Sequence, residues 1–343
     1  MTIVDLFAGM GGWDLAAREL GLDPLGIEWN ADACATREAV GLRTLHADIS
    51  QLDPWDGGFH PCDGLIASPP CQDFSVAGKG AGRTGDRGRL VDEVMRWTDA
   101  LRPRWVACEQ VPPVLPIWRE FAHRIKGWGY RTWCGLLSSE RFGVPQTRER
   151  AILMASLDFT PQPPAPTHQE YRHGEPARRE VGLFGDLEPW VSMAEALGWG
   201  MTERPLGTVT SGGATGGYDL AKGTREMLIR ERERGAWILD RRQTGAPVID
   251  TSRAPCPTLT GAAIAKGVWT ITRYATTIRL TLPEGLTLQG FPPDYPVQGT
   301  KTAAWLQVGN AIPPPLAKAI LTQLVPAQEA DAIAGPTPPR CLP

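Results

Sequence analysis

Lysine is scarce in this chain of 343 residues: 6 lysines stand against 29 arginines. None follows a glycine-rich loop in the spacing that cradles a triphosphate, which excludes the common ATP-binding loop. Cysteine occurs seven times, at 34, 62, 71, 108, 134, 256 and 341, but never as a Cys-x-x-Cys pair. Thiols so scattered exclude a disulfide frame and a metal-ligand pattern, so the expectation is reduced cysteines in a cytosol and no metal. There is no charged leader before an apolar segment, and no apolar run reaches the ~20 residues that span a bilayer. No membrane partner is expected. A net charge of −3 excludes a uniformly basic surface, although nucleic-acid binding needs only a local basic face. The arginine excess is read mainly as the codon preference of a GC-rich genome, and only secondarily as phosphate and base contact.

What is present fits a globular chain with a real core: 42% hydrophobic and 21% charged residues. The first half alternates short apolar runs (3–6, 25–27, 43–45, 64–67, 105–108, 131–136, 151–155) with amphipathic stretches of helical length (13–20, 31–40, 91–101, 114–127). Such alternation predicts an α/β fold with an open, mostly parallel, doubly wound sheet that binds ligands at the carboxyl ends of its strands. The pattern breaks after Leu157 at a proline-rich stretch, 161–166. The expected organisation is therefore a first domain over 1–157, completed by 275–325, and a second domain over 158–274. Residues 280–296 and a final helix near 314–324 look like the return to the first domain. The small, polar, proline-rich tail 326–343 is expected to be disordered.

Asp5-Leu6-Phe7-Ala8-Gly9-Met10-Gly11-Gly12 follows the first strand and opens the first helix. Glycines there allow a tight turn and close approach of a ligand, and free amides at the helix start attract an anionic group. Glu28 ends the second strand, where a carboxylate can accept from both hydroxyls of a ribose. Trp29 beside it can stack on an adenine or simply be buried. Asp48, after the third strand, can accept from an adenine amino group or cap the next helix. The turn lacks the Gly-x-Gly-x-x-Gly spacing of dinucleotide sites, so the expected ligand is an adenosine carrying a small charged substituent.

Ser68-Pro69-Pro70-Cys71 leaves the fourth strand through two stiff prolines that hold one thiol at the ligand edge. A free thiol ionises near pH ~8.5, so a nucleophile there needs cationic or dipolar help. Glu109 ends the fifth strand, and in a doubly wound sheet the ends of the fourth and fifth strands face one pocket, where a carboxyl can act as proton donor. In Gln146-Thr147-Arg148-Glu149-Arg150 the first, third and fifth side chains share a face, a grip for phosphate and a base carbonyl. Between 75 and 90 lies a loop of glycines and basic residues, Lys79, Arg83 and Arg87 among them, suited to close on a polyanion.

In this order the segments resemble the motifs of the cytosine-5 DNA methyltransferase family. The matching stretches are DLFAGMGG (5–12), IEW (27–29), HADIS (46–50), SPPCQDFS (68–75), GRLVDE (88–93), EQVPP (109–113), QTRER (146–150), LQGFPPDYP (288–296) and GNAIPPPLA (309–317). They run through nearly the whole chain. The resemblance implies a Rossmann-like sheet with a smaller target-recognition domain, S-adenosyl-L-methionine as cofactor and double-stranded DNA as partner. It places Phe7, Gly9, Gly11, Glu28, Trp29, Asp48, Ile49, Pro70, Leu90 and Asn310 around the cofactor. Cys71, Glu109, Arg148 and Arg150 would surround the target cytosine, with Cys71 its covalent nucleophile. Gln72, Ser75, Lys79, Arg83, Arg87 and Gln146 would meet DNA. Of the two similar segments RPLGTVTSG (204–212) and RAPCPTLTG (253–261), the second is the expected counterpart of the motif that borders the recognition domain. One departure stands out: the family's Glu-Asn-Val is here Glu109-Gln110-Val111, so a brace on the active-site loop is a methylene longer. A cytoplasmic monomer of bacterial or phage origin is expected, with a cognate restriction endonuclease an accompaniment rather than a physical requirement. A tRNA cytosine-5 methyltransferase and a non-catalytic DNA-binding relative are the two alternatives.

Overall fold

The computed structural model describes residues 1–55, 58–70, 74, 83, 85, 88–172, 186–198, 238–240, 249–250, 255–257, 270–273 and 276–325. Seven strands form the main sheet: β1 (Ile3–Leu6), β2 (Leu25–Glu28), β3 (Thr44–His46), β4 (Gly64–Ala67), β5 (Trp105–Gln110), β6 (Arg131–Ser138) and β8 (Glu149–Ser156), with the short β7 (Gln146–Thr147) outside it. Their order is β3-β2-β1-β4-β5-β8-β6. The order reverses at β1–β4, the switch point at which doubly wound sheets bind ligands. All neighbours from β3 to β5 are parallel, whereas β8 runs antiparallel to both β5 and β6. The expected strands are all present, each within three residues of its expected ends. What the apolar pattern did not reveal is the direction of β8, because periodicity carries no information about strand polarity.

Both sheet faces are covered, which is why β1, β4 and β5 are buried at every residue. On one face α3 (Val91–Leu101) and α4 (Leu115–Lys126) bury Val94, Trp97, Trp118 and Phe121 against Val4, Leu65, Val106 and Leu153. On the other, α1 (Gly12–Glu19) packs Trp13, Ala16 and Ala17 with Leu316, Ile320 and Leu321 of the return segment. Between them in sequence, α2 (Ala31–Ala39) begins at Asn30, whose side chain accepts from Ala33 N at 3.0 Å. After β8 the chain passes the prolines of 161–166, and the amides of Thr167 and His168 both donate to Arg141 O at 3.0 Å. A short helix, α5 (Met193–Ala196), follows.

A second, four-stranded sheet pairs β9 (Ile238–Asp240), β10 (Ile249–Asp250), β12 (Thr270–Arg273) and β13 (Thr276–Arg279), while β11 (Cys256–Pro257) lies parallel to β7. The return segment then forms α6 (Leu282–Leu288), α7 (Lys301–Asn310) and α8 (Pro314–Thr322). Its first helix opens on a capping box: Thr281 accepts from Glu284 N, and the Glu284 carboxylate accepts from Thr281 N. The final helix stops two residues short of the expected Leu324. Among the described residues no helix is long and apolar enough to cross a membrane.

Glu140, in the turn between β6 and β7, is buried, and its Oε2 has no hydrogen-bond partner. Burial raises its pKa from 4.5 to about 7, with smaller contributions from the Glu170 and Glu149 charges. The folded state thus holds a proton that the unfolded chain releases. That stabilisation is complete below pH 4.5 and is lost as pH rises to about 7. Glu140→Gln mimics the protonated form, so the Tm of the wild type should fall relative to that of the variant as pH rises through this window. Melting curves from pH 4.5 to 8 check it; parallel Tm–pH profiles would show that Glu140 ionises normally.

Candidate active site at the strand ends

The turn after β1 is held in a conformation that few side chains adopt. Phe7 has φ 60°, Gly9 52° and Gly11 99°. At Gly9 a Cβ would meet nothing within 4 Å, so the backbone faces open space. At Gly11 a Cβ would strike Leu42 Cδ1 and come to 3.3 Å from Tyr295 Oη. Packing within the protein and its φ therefore both require glycine at position 11.

Glu28 stands at the end of β2, 6% exposed. Its Oε2 accepts from Gly9 N at 2.8 Å and its Oε1 from Asn30 N at 2.7 Å, which fixes the carboxylate beside the turn. Trp29 is 60% exposed, so the buried alternative does not hold. Asp48 does cap the short helical turn 49–51: its Oδ1 accepts from Ser50 N and Ser50 Oγ. Ile49 is buried, Pro70 and Leu90 are half-buried, and Asn310 is exposed at the end of α7.

At the next strand ends the register pairs Ala67 with Cys108, so residues 68–70 lie beside 109–110. Gln110 ties the two stretches together: its amide nitrogen donates to Pro69 O, and its Oε1 accepts from Val111 N. The longer side chain in place of Asn still reaches the loop. Trp13 braces the same loop from the other side, its indole N–H donating to Ser68 Oγ at 2.9 Å. Glu109 is 4% exposed, and Arg150 Nε lies 2.8 Å from its Oε1. Two charged side chains from adjacent antiparallel strands thus meet, buried, at the pocket edge.

Other expected site residues are placed differently. Gln146, Arg148 and Arg150 are all buried. Gln146 is wholly buried, its amide donating to Leu288 O and Gln289 Oε1 at 3.0 and 2.8 Å. Arg148 is 2% exposed and donates to Gly309 O at 3.0 Å. These side chains stitch the return segment to the sheet, which corrects the expected DNA contact of Gln146 and phosphate grip of Arg148. Arg83 is bound to Asp92 and Glu120 at 2.5 and 2.9 Å and lies over the Phe121 ring, so in this arrangement it faces protein carboxylates rather than a polyanion. Cys71, Gln72, Ser75, Lys79 and Arg87 lie outside the described residues.

The sequence reading missed a buried cluster beneath the turn. Arg37 and Asp14, both fully enclosed, form a bidentate pair at 2.7 Å. Arg37 also donates to Thr44 Oγ1 and to the carbonyls of Ala8 and Arg43. The one local signal was Gly26, where any Cβ would strike the guanidinium. Asp5, wholly buried, receives no hydrogen bond at either oxygen. Burial, and then the Asp14 charge, raise its pKa well above 3.8. Nothing in the sequence marked Trp13, which lies 55 residues from Ser68.

A doubly wound sheet with one antiparallel strand inserted beside β5, and a glycine turn flanked by an acidic strand end, define the Rossmann-like methyltransferase class. An Escherichia coli prophage-encoded DNA modification methyltransferase shares this fold, with a TM-score of 0.61 and 20% identity over 94% of this chain and 98% of that one. In sequence, the Type II methyltransferase M.NgoFVII of Neisseria gonorrhoeae is 28% identical, covering 93% of this chain and 86% of the relative. M1.HphI of Haemophilus parahaemolyticus is 29% identical, over 93% and 85%. The family described as C-5 cytosine-specific DNA methylase matches residues 1–326, and the chain belongs to that family. It is a DNA (cytosine-5-)-methyltransferase that uses S-adenosyl-L-methionine, with double-stranded DNA as its substrate.

The residues around the turn fit this cofactor. Open space at Gly9 admits a ligand against the backbone, Glu28 and Asp48 are pure acceptors for hydroxyl and amino groups, and Trp29 offers an exposed ring.

Two outcomes follow from the ties described. Arg148→Gln should lower Tm by a few degrees yet leave unchanged the slope of log DNA affinity against log salt; a slope reduced by about one would return Arg148 to a phosphate. Gln110→Ala should lower kcat by about tenfold or more while cofactor affinity, measured by calorimetry, stays the same. Unaltered kcat would remove the Gln110 brace from any part in catalysis.

Proposed function

We propose that the enzyme methylates cytosine through a covalent adduct on Cys71, with Glu109 and Arg150 holding the target base. The observation that carries this reading is the buried Glu109–Arg150 contact beside the loop that Gln110 ties at Pro69, one residue before Pro70-Cys71. Four of the five described thiols are poor nucleophiles. Burial pushes Cys34 and Cys134 up to about 11, Cys62 to about 12 and Cys108 higher still.

Cytosine carbon 5 is a weak nucleophile and is inaccessible within a duplex, so the nucleotide is rotated out of the stack, at a cost of a few kcal/mol, roughly. The Cys71 thiolate bonds to carbon 6. Glu109 donates its proton to ring nitrogen 3 and holds the exocyclic amine, so the adduct is a neutral enamine with electron density at carbon 5. Arg150 grips the base carbonyl and favours the developing charge. Bound S-adenosylmethionine supplies an electrophilic methyl group on its sulfonium. Loss of the carbon-5 proton then expels Cys71 and regenerates the thiolate. Phe7, Gly9, Glu28, Trp29, Asp48, Ile49, Pro70, Leu90 and Asn310 are the residues assigned to the cofactor. Gln72, Ser75, Lys79 and Arg87 are assigned to DNA.

In the same reading residues 1–157 and the return segment make up the catalytic domain, and the stretch between them recognises the target. The β12–β13 hairpin, which ends at Arg279, supports a border near 280 rather than 275. The pairing of β11 with β7 supports 253–261 as the bordering motif, because it sets Cys256 beside Gln146 at the catalytic body. The tail 326–343 is assigned to neither domain. The protein acts as a cytoplasmic monomer, and a cognate restriction endonuclease is not physically required.

Cys71→Ser should abolish methyl transfer while S-adenosylhomocysteine still binds, and the wild type should form a denaturant-stable adduct with duplex DNA containing 5-fluorocytosine. Near wild-type turnover in the variant, or no adduct in the wild type, would exclude Cys71 as nucleophile.

A further inference from the structure

Met10 sits at the crest of the strained turn, between two glycines in left-handed conformation. Its side chain is buried in a small cluster with Leu286, Phe291, Tyr295, Val308 and Ala311, all from the return segment. Its carbonyl accepts a hydrogen bond from Tyr295 Oη at 2.6 Å. The contact joins residues 285 positions apart in sequence. Tyr295 is itself placed by Phe291, whose ring it meets edge-on at 5.2 Å, and by its own amide, which donates to Pro292 O.

We propose that Tyr295 is a positioning residue for the cofactor: its hydroxyl fixes the Met10 carbonyl and so keeps Gly9 and Glu28 facing the ligand. The residues on either side of Met10 have their own ties: Ala8 N donates to Ile27 O at 3.1 Å and Gly11 O accepts from Leu15 N at 3.0 Å, which leaves the Met10 carbonyl to Tyr295. Ala8 O accepts from Gly11 N at 3.1 Å and from Arg37 at 3.4 Å, and Gly9 N is spent on Glu28. A left-handed turn relaxes readily when a buried carbonyl loses its donor, because the peptide can rotate toward a new partner. The Met10 carbonyl and the Gly11 N–H share one peptide plane, so its rotation would break the Gly11 N to Ala8 O bond that closes the turn around Gly9. Burial raises the Tyr295 pKa, so the hydroxyl stays protonated and remains a donor at any working pH.

The inference rests on the reading of the 7–11 turn as the cofactor turn, and the two are separable by experiment. Tyr295→Phe keeps the ring in its cluster and deletes only the donor. Binding of S-adenosylhomocysteine to the DNA-free protein is measured by calorimetry for the wild type, Tyr295→Phe, Val308→Ala and Glu28→Gln. Tyr295→Phe should weaken binding by about tenfold and raise the KM for cofactor, while kcat at saturating cofactor and DNA affinity stay within twofold. Val308→Ala loosens the same cluster without removing the ring that places Tyr295, so it should lower Tm at least as much yet shift Kd less than twofold. A normal Kd in Tyr295→Phe, or equal shifts in the two cluster variants, overturns the role of Tyr295. If Glu28→Gln also binds normally, the turn itself is not the cofactor site.

Discussion

Everything at the cofactor edge depends on the Arg37 guanidinium. Its five N–H groups are all used: two on Asp14, and one each on Thr44 Oγ1, Ala8 O and Arg43 O. One side chain thereby fixes the start of α1, the turn after β1 and the entry to β3. A buried ion pair adds little net stability over apolar packing, but deleting one partner strands a charge, at a cost of roughly 3–5 kcal/mol. The value of this pair is geometric. Arginine presents a rigid planar fork that lysine lacks, so all these elements meet at fixed distances and angles. Gly26 exists to leave room for it.

The return segment supplies the second set of constraints and reaches both halves of the site. Tyr295 grips the turn at Met10, Gly309 accepts from Arg148 next to the strand that carries Arg150, and Gln289 engages Gln146. Asn310 follows Gly309 directly. A chain that leaves the catalytic body and comes back thus closes the cofactor edge and the target edge with one piece of backbone. The buried polar side chains along it are satisfied by carbonyls and amides, an arrangement that specifies one geometry and tolerates few others.

Much of this was legible in the sequence. Strands β1 and β4 and helix α3 fall where the apolar runs and helical periodicity put them, since local pattern sets local structure. The acidic ends of β2 and β5 also stand where a doubly wound sheet requires. Less legible were the partners of long polar side chains. Arg148 and Gln146 looked like DNA contacts because alternation gives a shared face but not what that face meets. Here it meets Leu288, Gln289 and Gly309, more than 140 residues later. Arg83 was read as a phosphate ligand from loop composition, which says nothing of Asp92 and Glu120 on the neighbouring helices. Tertiary contacts of this kind leave no periodic trace.

The reversed direction of β8 also sets a length that the chain must respect. Because β8 starts at the pocket and ends at the opposite edge of the sheet, the backbone has to travel the sheet's height again before Thr167 and His168 can dock on Arg141. Eight strand residues cover roughly 26 Å. The bend at 157–159 and the proline-rich stretch 160–166, about 22 Å at ~3.1 Å per residue if extended, make this crossing. Pro161, Pro163, Pro164 and Pro166 stiffen that crossing, which ends where Thr167 and His168 dock on Arg141.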